Sequence, residues 1–357
     1  ITDAWEPQTN GVVTTLRNTS RELAARGMPL LRISPERFAS LPCPSYPEIR
    51  LALGAASTVA RELDAFEPDA VHVATEGPLG LAARRACERR RWRFTTSYHT
   101  QFPEYLRARW PVPLGAGYGY LRWFHGRATR TLVATAALRQ ALRRRGFARL
   151  APWSRGVDTA LFRPRDGRMP DLPRPVCLYA GRVAVEKNLE AFLAIDRPGS
   201  KVVVGDGPLL ASLRARHPQV RFTGMLHAEA LATAIAAADV FVFPSRTDTF
   251  GVVMLEAMAC GVPVAAFPVT GPVDVVEEGV TGALRADLGA AIDAALRLDR
   301  ALVRATALQH SWARATGEFV DALVPARRGA SRKYFAQARS KALDRKASQA
   351  EVMSIRS

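Results

Sequence analysis

Residues 240–266, VFVFPSRTDTFGVVMLEAMACGVPVAA, constrain the fold more than any other stretch of this sequence. They contain two short apolar runs, 240–244 and 263–266, on either side of a helical pattern at 252–259. Apolar runs without polar alternation are typical of strands that are buried on both faces of a parallel sheet. The stretch therefore predicts a strand, a loop, a helix and a second parallel strand.

The same alternation continues on both sides of this unit. In the second half of the chain it predicts strands at 176–180, 201–204, 220–223, 240–244 and 263–266. Helical patterns separate these strands at 209–216, 228–238, 252–259 and 288–298. In the first half, helical patterns start at residue 11 and residue 55, and strands are predicted at 29–34, 70–74, 94–97 and 131–134.

A stretch rich in Pro, Gly and charge, 163–175, interrupts the alternation and reads as a linker. We therefore expect two Rossmann-like domains, 1–165 and 166–310, each with a doubly wound parallel sheet. We expect a helix at 311–325 that packs back toward the first domain, and a basic, disordered tail at 326–357. Ligands of such sheets bind at the carboxyl ends of the strands, which places the site in a cleft between the domains.

The segment 181–188, GRVAVEKN, lies where a predicted strand gives way to a helix. A glycine allows the backbone to approach a ligand, and the first amides of a helix favour phosphate. Arg182 and Lys187 add two cations there, although a surface loop with incidental charge would look the same. The turn 204–208, with Gly205 and Gly207, is by itself an ordinary strand-to-helix turn.

Two carboxylates eight residues apart, Asp248 and Glu256, flank the predicted start of the helix at Gly251. Carboxylates accept hydrogen bonds from two hydroxyls at once, so one could hold a sugar and the other a ribose. The helix start between them could face a diphosphate. Two acids at this spacing alone would be unremarkable, and the whole string is far more specific.

These segments, GRVAVEKN at 181–188, GDGP at 205–208 and SRTDTFGVVMLEAMA at 245–259, resemble the donor domain of retaining family 4 glycosyltransferases, which have the GT-B fold. The first half agrees through NGV at 10–12 and RGVD at 155–158. HVATEGPLG at 72–80 and SYHT at 97–100 resemble the subgroup of mannosyl-, glucosyl- and sulfoquinovosyl-transferases that act on lipids. The resemblance covers roughly residues 1–325 in the expected order.

The resemblance implies a role for each matching residue. Arg182 and Lys187 would neutralise the nucleotide diphosphate, Glu256 would bind the ribose and Asp248 the donor sugar, while Gly11 would bring backbone amides to the phosphates. The implied catalytic residues are His99, Asp248, Arg182 and Lys187. The implied donor-binding residues are Gly11, Arg182, Lys187, Gly205, Met225, Asp248, Phe250, Gly251 and Glu256.

The resemblance has two departures and two open identities. Asp248 stands where the family usually has Glu, and Arg155 where it usually has Asn. His99 would contact the transferred sugar, while His72 and His125 are expected to be structural and Glu76 is a candidate for the cleft. The base of the donor, UDP or GDP, and its hexose are left open.

The resemblance also implies a retaining reaction without a cofactor, with the nucleotide sugar as co-substrate. Charge builds on the leaving diphosphate, where cations and helix amides stabilise it. We expect no metal site, because the sequence has no Asp-x-Asp pair and no His/Cys cluster with ligand spacing.

The net charge of +17 suggests an anionic partner. Residues 82–150 contain sixteen arginines, Glu88 and Glu104 as their only acids, and interleaved aromatic residues including Trp110 and Trp123. Such a surface suits an anionic membrane, so we expect a lipid acceptor such as diacylglycerol or a phospholipid. A soluble or polysaccharide acceptor is the alternative, a solvated arginine-rich face is the bland reading, and a nucleic-acid-binding protein is remote.

Composition favours a soluble chain. No apolar stretch is long enough to span a membrane. We expect no signal peptide, and the start at Ile1 leaves open whether part of a first strand is missing. The four cysteines lack metal-site spacing and are expected to be reduced thiols. We therefore expect a cytoplasmic protein that associates peripherally with the inner face of the membrane.

Overall fold

The computed structural model describes residues 1–43, 46–109, 113–165, 169 and 171–327, with side chains at 46–48 and 108–109 left aside. Trp110 and nearly all of the predicted basic tail lie outside these ranges. Within them, no helix combines the length and apolar character that crossing a membrane requires.

The first domain is built on a parallel four-stranded sheet with the order β3-β4-β5-β6. Its strands are β3 (His72–Val73), β4 (Thr95–Tyr98), β5 (Arg130–Val133) and β6 (Leu150–Pro152). Its helices are α1 (Gly11–Ala25), α2 (Ala55–Phe66), α3 (Pro78–Arg89), α4 (Phe102–Arg109), α5 (Leu114–His125) and α6 (Ala136–Arg144). Strand β4 is buried at every position, as expected for a parallel strand covered on both faces.

The amino-terminal part of this domain differs from the prediction in one place. The run 29–34 was expected to be a strand, and that was wrong. Its one ladder-like contact with another described residue is the Thr2 amide donating to the Ile33 carbonyl at 3.0 Å. An antiparallel hairpin that the sequence did not predict follows it, formed by β1 (Ser40–Cys43) and β2 (Tyr46–Ala52). Its turn residues 44–45 lie outside the described ranges.

The second domain has a parallel six-stranded sheet with the order β12-β11-β10-β7-β8-β9. The strands are β7 (Val176–Ala180), β8 (Ser200–Val204), β9 (Arg221–Gly224), β10 (Val240–Phe243), β11 (Val264–Ala266) and β12 (Gly282–Leu284). The helices are α7 (Leu189–Leu193), α8 (Leu210–Arg216), α9 (Ala228–Ala236), α10 (Val252–Ala259), α11 (Pro272–Val275), α12 (Leu288–Ala295) and α13 (Arg300–Ala307). The predicted doubly wound α/β architecture is confirmed. The strands are added outward from β7, first to one side as β8 and β9 and then to the other as β10 to β12, and helices cover both faces of the sheet.

The last described helix, α14 (Trp312–Ala322), leaves the second domain and lies against the first. Phe319 packs on the Trp153 ring with centroids 4.7 Å apart, and the Glu318 carboxylate accepts the Ser154 amide at 2.7 Å. A side chain at Gly156 would come within 2.3 Å of the Trp312 nitrogen, so the two chain crossings between the domains touch directly. This contact fixes one side of the interdomain cleft.

The carboxyl ends of the two sheets face each other across that cleft. Thr249, after β10, donates a hydrogen bond to the His99 carbonyl, after β4, at 2.6 Å. Asp274 of α11 accepts the Ala137 amide at the start of α6 at 3.1 Å. The loops that carry most of the predicted site therefore meet where the parallel topology requires.

Candidate active site

An ion pair lies at the centre of the cleft. The Lys187 ammonium is 2.6 Å from Asp248 Oδ1, and both side chains are largely buried. Burial opposes the charge on Lys187 most strongly, but Asp248, Tyr179 and Glu186 together outweigh it, so the pKa of Lys187 is raised and the group stays cationic. Asp248 Oδ2 is buried and has no hydrogen-bond partner among the described residues, which leaves one acceptor of the pair unused.

Lys187 is placed by a tight turn that joins two loops. It ends a short 3-10 helix, and Asn188 follows in the left-handed conformation with φ of 54°. The Asn188 side-chain Nδ2 donates to the Pro244 carbonyl at 3.1 Å, which ties this turn to the end of β10. The Thr247 hydroxyl donates to the Glu186 carbonyl at 3.3 Å and strengthens the same connection. The loops that hold Lys187 and Asp248 therefore form one unit.

Arg182 lies on the same loop as Lys187. Its Nε is 4.0 Å from the carboxylate of Glu186, a residue that is itself buried. The Tyr179 hydroxyl donates to the Arg182 carbonyl at 2.8 Å, and this contact holds the loop above β7. The sequence predicted both cations at this strand end, and the structure places both on that loop.

Glycines allow the loops after β7, β8 and β9 to pass within contact of one another. Gly205 has φ of +138°, and a side chain there would come within 1.9 Å of the Gly181 carbonyl oxygen. The Gly205 amide donates to the Gly224 carbonyl at 2.8 Å, and Met225 follows with 41% of its surface exposed. The predicted donor residues Gly205 and Met225 thus lie on adjoining loops at one sheet edge.

The helix start after β10 holds the remaining predicted donor residues. Gly251 has φ of +84°, which allows the chain to enter α10 directly, and Phe250 beside it is buried. Burial raises the pKa of Glu256 to about 7, and the charge of Arg17 on α1 opposes the rise. No hydrogen-bond donor within the described ranges reaches the Glu256 carboxylate, so it is available to a ligand.

On the facing domain, Asn10 begins α1 and accepts hydrogen bonds from the Val12 and Val13 amides, each at 3.0 Å. Gly11 opens this helix, and the space where its side chain would lie is empty within 4 Å. The start of α1 can therefore be approached closely, although Asn10 already satisfies two of its amides.

His99 lies at the carboxyl end of β4 and is 8% exposed. Its Nε2 is 2.9 Å from the Ser97 hydroxyl, and its Nδ1 is 3.1 Å from an Arg155 nitrogen. Burial, with the positive charge of Arg155 next in size, lowers the pKa of His99 well below its usual range, so the ring is neutral. Both ring nitrogens have protein partners, and the backbone carbonyl holds Thr249.

Glu76, expected as a cleft candidate, pairs with His125 Nε2 at 3.2 Å. His72 lies between the Thr95 and Ser97 hydroxyls, at 2.9 and 3.0 Å, in a packing role as predicted.

Two cleft residues were not predicted from the sequence. Tyr105 of α4 places its hydroxyl 3.5 Å from Asp248 Oδ1, and Gln101 donates to the Asp248 carbonyl at 3.4 Å. Neither residue lies in a recognisable motif, because its relevance comes only from the meeting of the two domains. Over the part of the chain that is described, no group of three His, Cys, Asp or Glu side chains is arranged to hold a metal ion.

Comparison with known families gives two matches that together cover most of the chain. A family model described as Glycosyltransferase Family 4 matches residues 9–161, and one described as Glycosyl transferases group 1 matches residues 174–300.

Curated relatives extend over both domains. The sulfoquinovosyl transferase SQD2 of Arabidopsis thaliana is 33% identical over 266 residues, which is 69% of this chain and 52% of that protein. The chain thus spans about half the length of that relative. A GDP-mannose-dependent alpha-mannosyltransferase of Mycobacterium tuberculosis is 30% identical over 311 residues, 80% of this chain and 82% of that protein. The one from Mycolicibacterium smegmatis is 32% identical with 80% and 83% covered.

Solved structures share the fold. Sucrose-phosphate synthase from Thermosynechococcus elongatus aligns with a TM-score of 0.68 at 21% identity, covering 88% of this chain and 92% of that one. HepE of Anabaena, solved in complex with UDP and glucose, aligns with a TM-score of 0.65 at 16% identity, covering 89% and 97%. These likenesses confirm the GT-B fold predicted from the sequence.

Proposed function

We propose a specific reaction for this chain, which belongs to the family 4 glycosyltransferases with the GT-B fold. It is a retaining enzyme that moves a hexose-type sugar from a UDP- or GDP-linked donor to a membrane lipid such as diacylglycerol or a phospholipid. The observation that supports this most is the buried pair of Lys187 and Asp248, a cation and a carboxylate side by side in the cleft. Relatives named for GDP-mannose and for sulfoquinovosyl transfer support a nucleotide-sugar donor.

The donor site divides by charge. Lys187 and Arg182 bind the diphosphate, and the start of α1 at Gly11 faces it from the other domain. Asp248 accepts hydroxyls of the donor sugar through Oδ2, the oxygen that has no partner in the free protein. Glu256 accepts both ribose hydroxyls, because an ionised carboxylate can take two such donors at once.

The reaction breaks the bond between the sugar C1 and the β-phosphate oxygen and forms a bond from C1 to the acceptor oxygen on the same face. The acceptor proton passes to the departing phosphate oxygen. Negative charge develops on that phosphate, and Lys187 and Arg182 stabilise it where it forms. These cations take the part that a metal ion plays in other transferases, so we propose that no metal is required.

The first domain binds the acceptor. Trp123 on α5 is 52% exposed, and the buried Arg84 of α3 stacks on its ring at 3.7 Å. Arg85 of α3 and Arg122 of α5 are exposed as well, and exposed aromatic and cationic side chains suit a bilayer surface with anionic lipids. We propose that this face holds the enzyme at the inner surface of the cytoplasmic membrane.

The donor site is tested by calorimetry with UDP, GDP and their common sugar conjugates. We expect one base to bind, and Lys187→Met to abolish binding of both the nucleotide and its sugar conjugate. Asp248→Asn should keep the nucleotide and lose the added affinity of the sugar. Lys201→Met is the matched control, because Lys201 donates to the Leu193 carbonyl at 2.6 Å, outside the cleft. Full binding by Lys187→Met would refute the donor site.

The acceptor is tested by transfer of labelled sugar from the donor that binds. Labelled glycolipid formed only with vesicles that contain diacylglycerol or phospholipid supports the lipid acceptor. Equal transfer to soluble sugars without vesicles would replace it with a soluble or polysaccharide acceptor. Retention is checked by the anomeric coupling constant of the product, and the role of metal by the rate in excess chelator.

A further inference from the structure

Arg155 is a buried cation that the donor and acceptor sites leave unexplained. Only 4% of its surface is exposed, and its guanidinium donates to the Trp153 and Ser154 carbonyls at 2.6 and 3.0 Å. It also stacks on the Trp153 ring at 4.7 Å. Burial lowers the pKa of Arg155 to about 9, which still leaves it protonated at neutral pH. The second terminal nitrogen of the guanidinium, Nη2, lies 3.1 Å from His99 Nδ1.

This contact fixes the position of the proton on the His99 ring. A guanidinium has only donors, so His99 Nδ1 must be the acceptor and cannot carry a proton. A neutral imidazole then carries its proton on Nε2. That N–H points at the Ser97 hydroxyl 2.9 Å away.

The rest of the network is consistent with this direction. The Ser97 hydroxyl accepts from His99 and donates to His72 Nε2 at 3.0 Å. His72 then carries its proton on Nδ1 and donates to the Thr95 hydroxyl at 2.9 Å. The Thr95 hydroxyl donates to the Val71 carbonyl at 3.4 Å. Each donor in this hydrogen-bond network has one acceptor, and neither histidine needs a positive charge.

Charged and titratable groups on every neighbouring element act on the same ring. His72 comes from β3, His125 from α5 and Arg155 from the segment after β6. The charge of Arg155, and any positive charge on the two histidines, disfavours protonation of His99. Glu318 of α14 acts on Arg155 and favours its charged form. The surroundings therefore hold Arg155 charged and His99 neutral.

We propose that Arg155 is a positioning residue that fixes His99 as the Nε2–H tautomer, so that its ring donates to the transferred sugar and does not act as a base. This rests on the proposed function. Ser97 can release the N–H to a sugar hydroxyl, because its own proton already has a partner in His72 or, at 3.4 Å, in the Ala74 carbonyl.

The tautomer is read from long-range proton–nitrogen spectra of the full chain labelled with ¹⁵N in histidine, with His99→Gln to assign the signal. We expect unmodified His99 to show Nδ1 as the bare nitrogen and not to titrate between about pH 5 and 8. In Arg155→Met the ring should exchange between tautomers or titrate in that range, and Arg155→Lys should restore the original pattern in part. A proton on Nδ1 in the unmodified chain would overturn the proposal.

Kinetics provide the second readout. Arg155→Met should lower kcat about tenfold or more with a smaller change in KM for the donor, because orientation of the ring and not binding is lost. The matched control is Arg130→Met, since Arg130 also donates to backbone carbonyls, those of Asp321 and Ala322, without touching a histidine. Equal losses in both variants would overturn the proposal. A chain that transfers no sugar refutes the proposed function, and the spectrum then still decides the tautomer.

Discussion

Glu256 shows how burial alone prepares a side chain for a ligand. It lies in the second turn of α10, no donor among the residues that the structure describes reaches its carboxylate, and burial raises its pKa to about 7. A carboxyl group in a cleft whose pKa lies near neutral pH is typical of a functional site. Hydroxyl donors from a ribose favour the ionised form, so ligand binding and deprotonation of Glu256 are coupled.

We therefore expect affinity for the nucleotide sugar to rise with pH. If only ionised Glu256 accepts the ribose, a pKa of about 7 gives about a tenfold gain in affinity between pH 6 and pH 8. Nucleotide sugars are the right probe, because neither of their phosphates titrates in this range. Calorimetry at both pH values measures the gain, and Glu256→Gln should bind weakly with no pH dependence. A gain of the same size in Glu256→Gln would assign the effect to another group.

The same shift makes a prediction for stability. Glu256 has a folded pKa of about 7 against an ordinary value of 4.5, so its stabilising contribution is complete below 4.5 and is lost as pH rises through about 7. Between pH 4.5 and about 7, the Glu256→Gln variant should accordingly lose less stability than the unmodified protein, as measured by thermal unfolding. Parallel Tm curves for the two proteins would contradict the shift.

At the scale of elements, the donor edge depends on loops that interlock. The loops after β7, β8 and β9 meet through four backbone hydrogen bonds, among them Gly181 N to Val204 O at 2.9 Å and Val183 N to Asp206 O at 2.8 Å. Gly205 sits at the tightest crossing, where a side chain would come within 1.9 Å of a backbone oxygen that cannot move independently.

Two glycine substitutions separate strain from collision. Gly224→Ala places an alanine at a positive φ of +76°, which is strained, but its added carbon meets nothing within 4 Å. We therefore expect the free energy of unfolding to fall by about 1 kcal/mol. Gly205→Ala adds a clash to a similar penalty, so we expect a loss of about 2–4 kcal/mol. Denaturant unfolding of both variants measures the difference, and equal losses would show that the loops can separate freely.

The sequence predicted the parts of this molecule that depend on local pattern. The wholly apolar strands β7 and β10 and the helices α1, α2 and α10 follow from periodicity, and Lys187 and Asp248 follow from their positions at strand ends. The sequence did not predict the helices α3, α4, α5, α6, α11 and α13. It also missed the hairpin of β1 and β2, the strand β6 and the strand β12, because pairing partners and not their own residues define these strands. Tyr105 and Arg155 escaped for the same reason, since their roles arise only when distant segments meet.

For the whole molecule, the relation between the domains is held by a few polar contacts. Thr249 joins the His99 carbonyl, and Asp274 accepts the Ala137 amide across the cleft. Asp274 thus caps α6 from the opposite domain, in addition to Thr135 within the same domain. Capping contacts of this kind are each worth about 1 kcal/mol, enough to bias a cleft between open and closed positions.

We expect Asp274→Ala to loosen the cleft. KM for the donor should rise about fivefold, as the loss of about 1 kcal/mol implies, and solution scattering should show a larger radius of gyration. Asp287→Ala is the matched control, because Asp287 caps α12 within one domain through the Gly289 amide at 2.9 Å. It should lower Tm without changing KM or the radius. Indistinguishable behaviour of the two variants would mean that Asp274 does not hold the domains together.

The net charge of the molecule leads to a prediction about membrane binding. We expect binding to depend on where the positive charges lie and not only on their number. Arg85 on α3 and Arg297 after α12 are both exposed and lie in different domains, so replacing either with Glu lowers the net charge of +17 by two. A cation near an anionic membrane contributes about 1 kcal/mol, so reversal at a contacting site should weaken vesicle binding by about tenfold or more. We expect this loss in flotation assays for Arg85→Glu, which shares α3 with the arginine stacked on Trp123, and little change for Arg297→Glu.

Binding should also fall as salt rises, because the Debye length shortens to about 3 Å at 1 M. Equal losses in both variants would mean that diffuse charge attracts the protein, and no preference for anionic over neutral vesicles would remove the membrane from the proposed function.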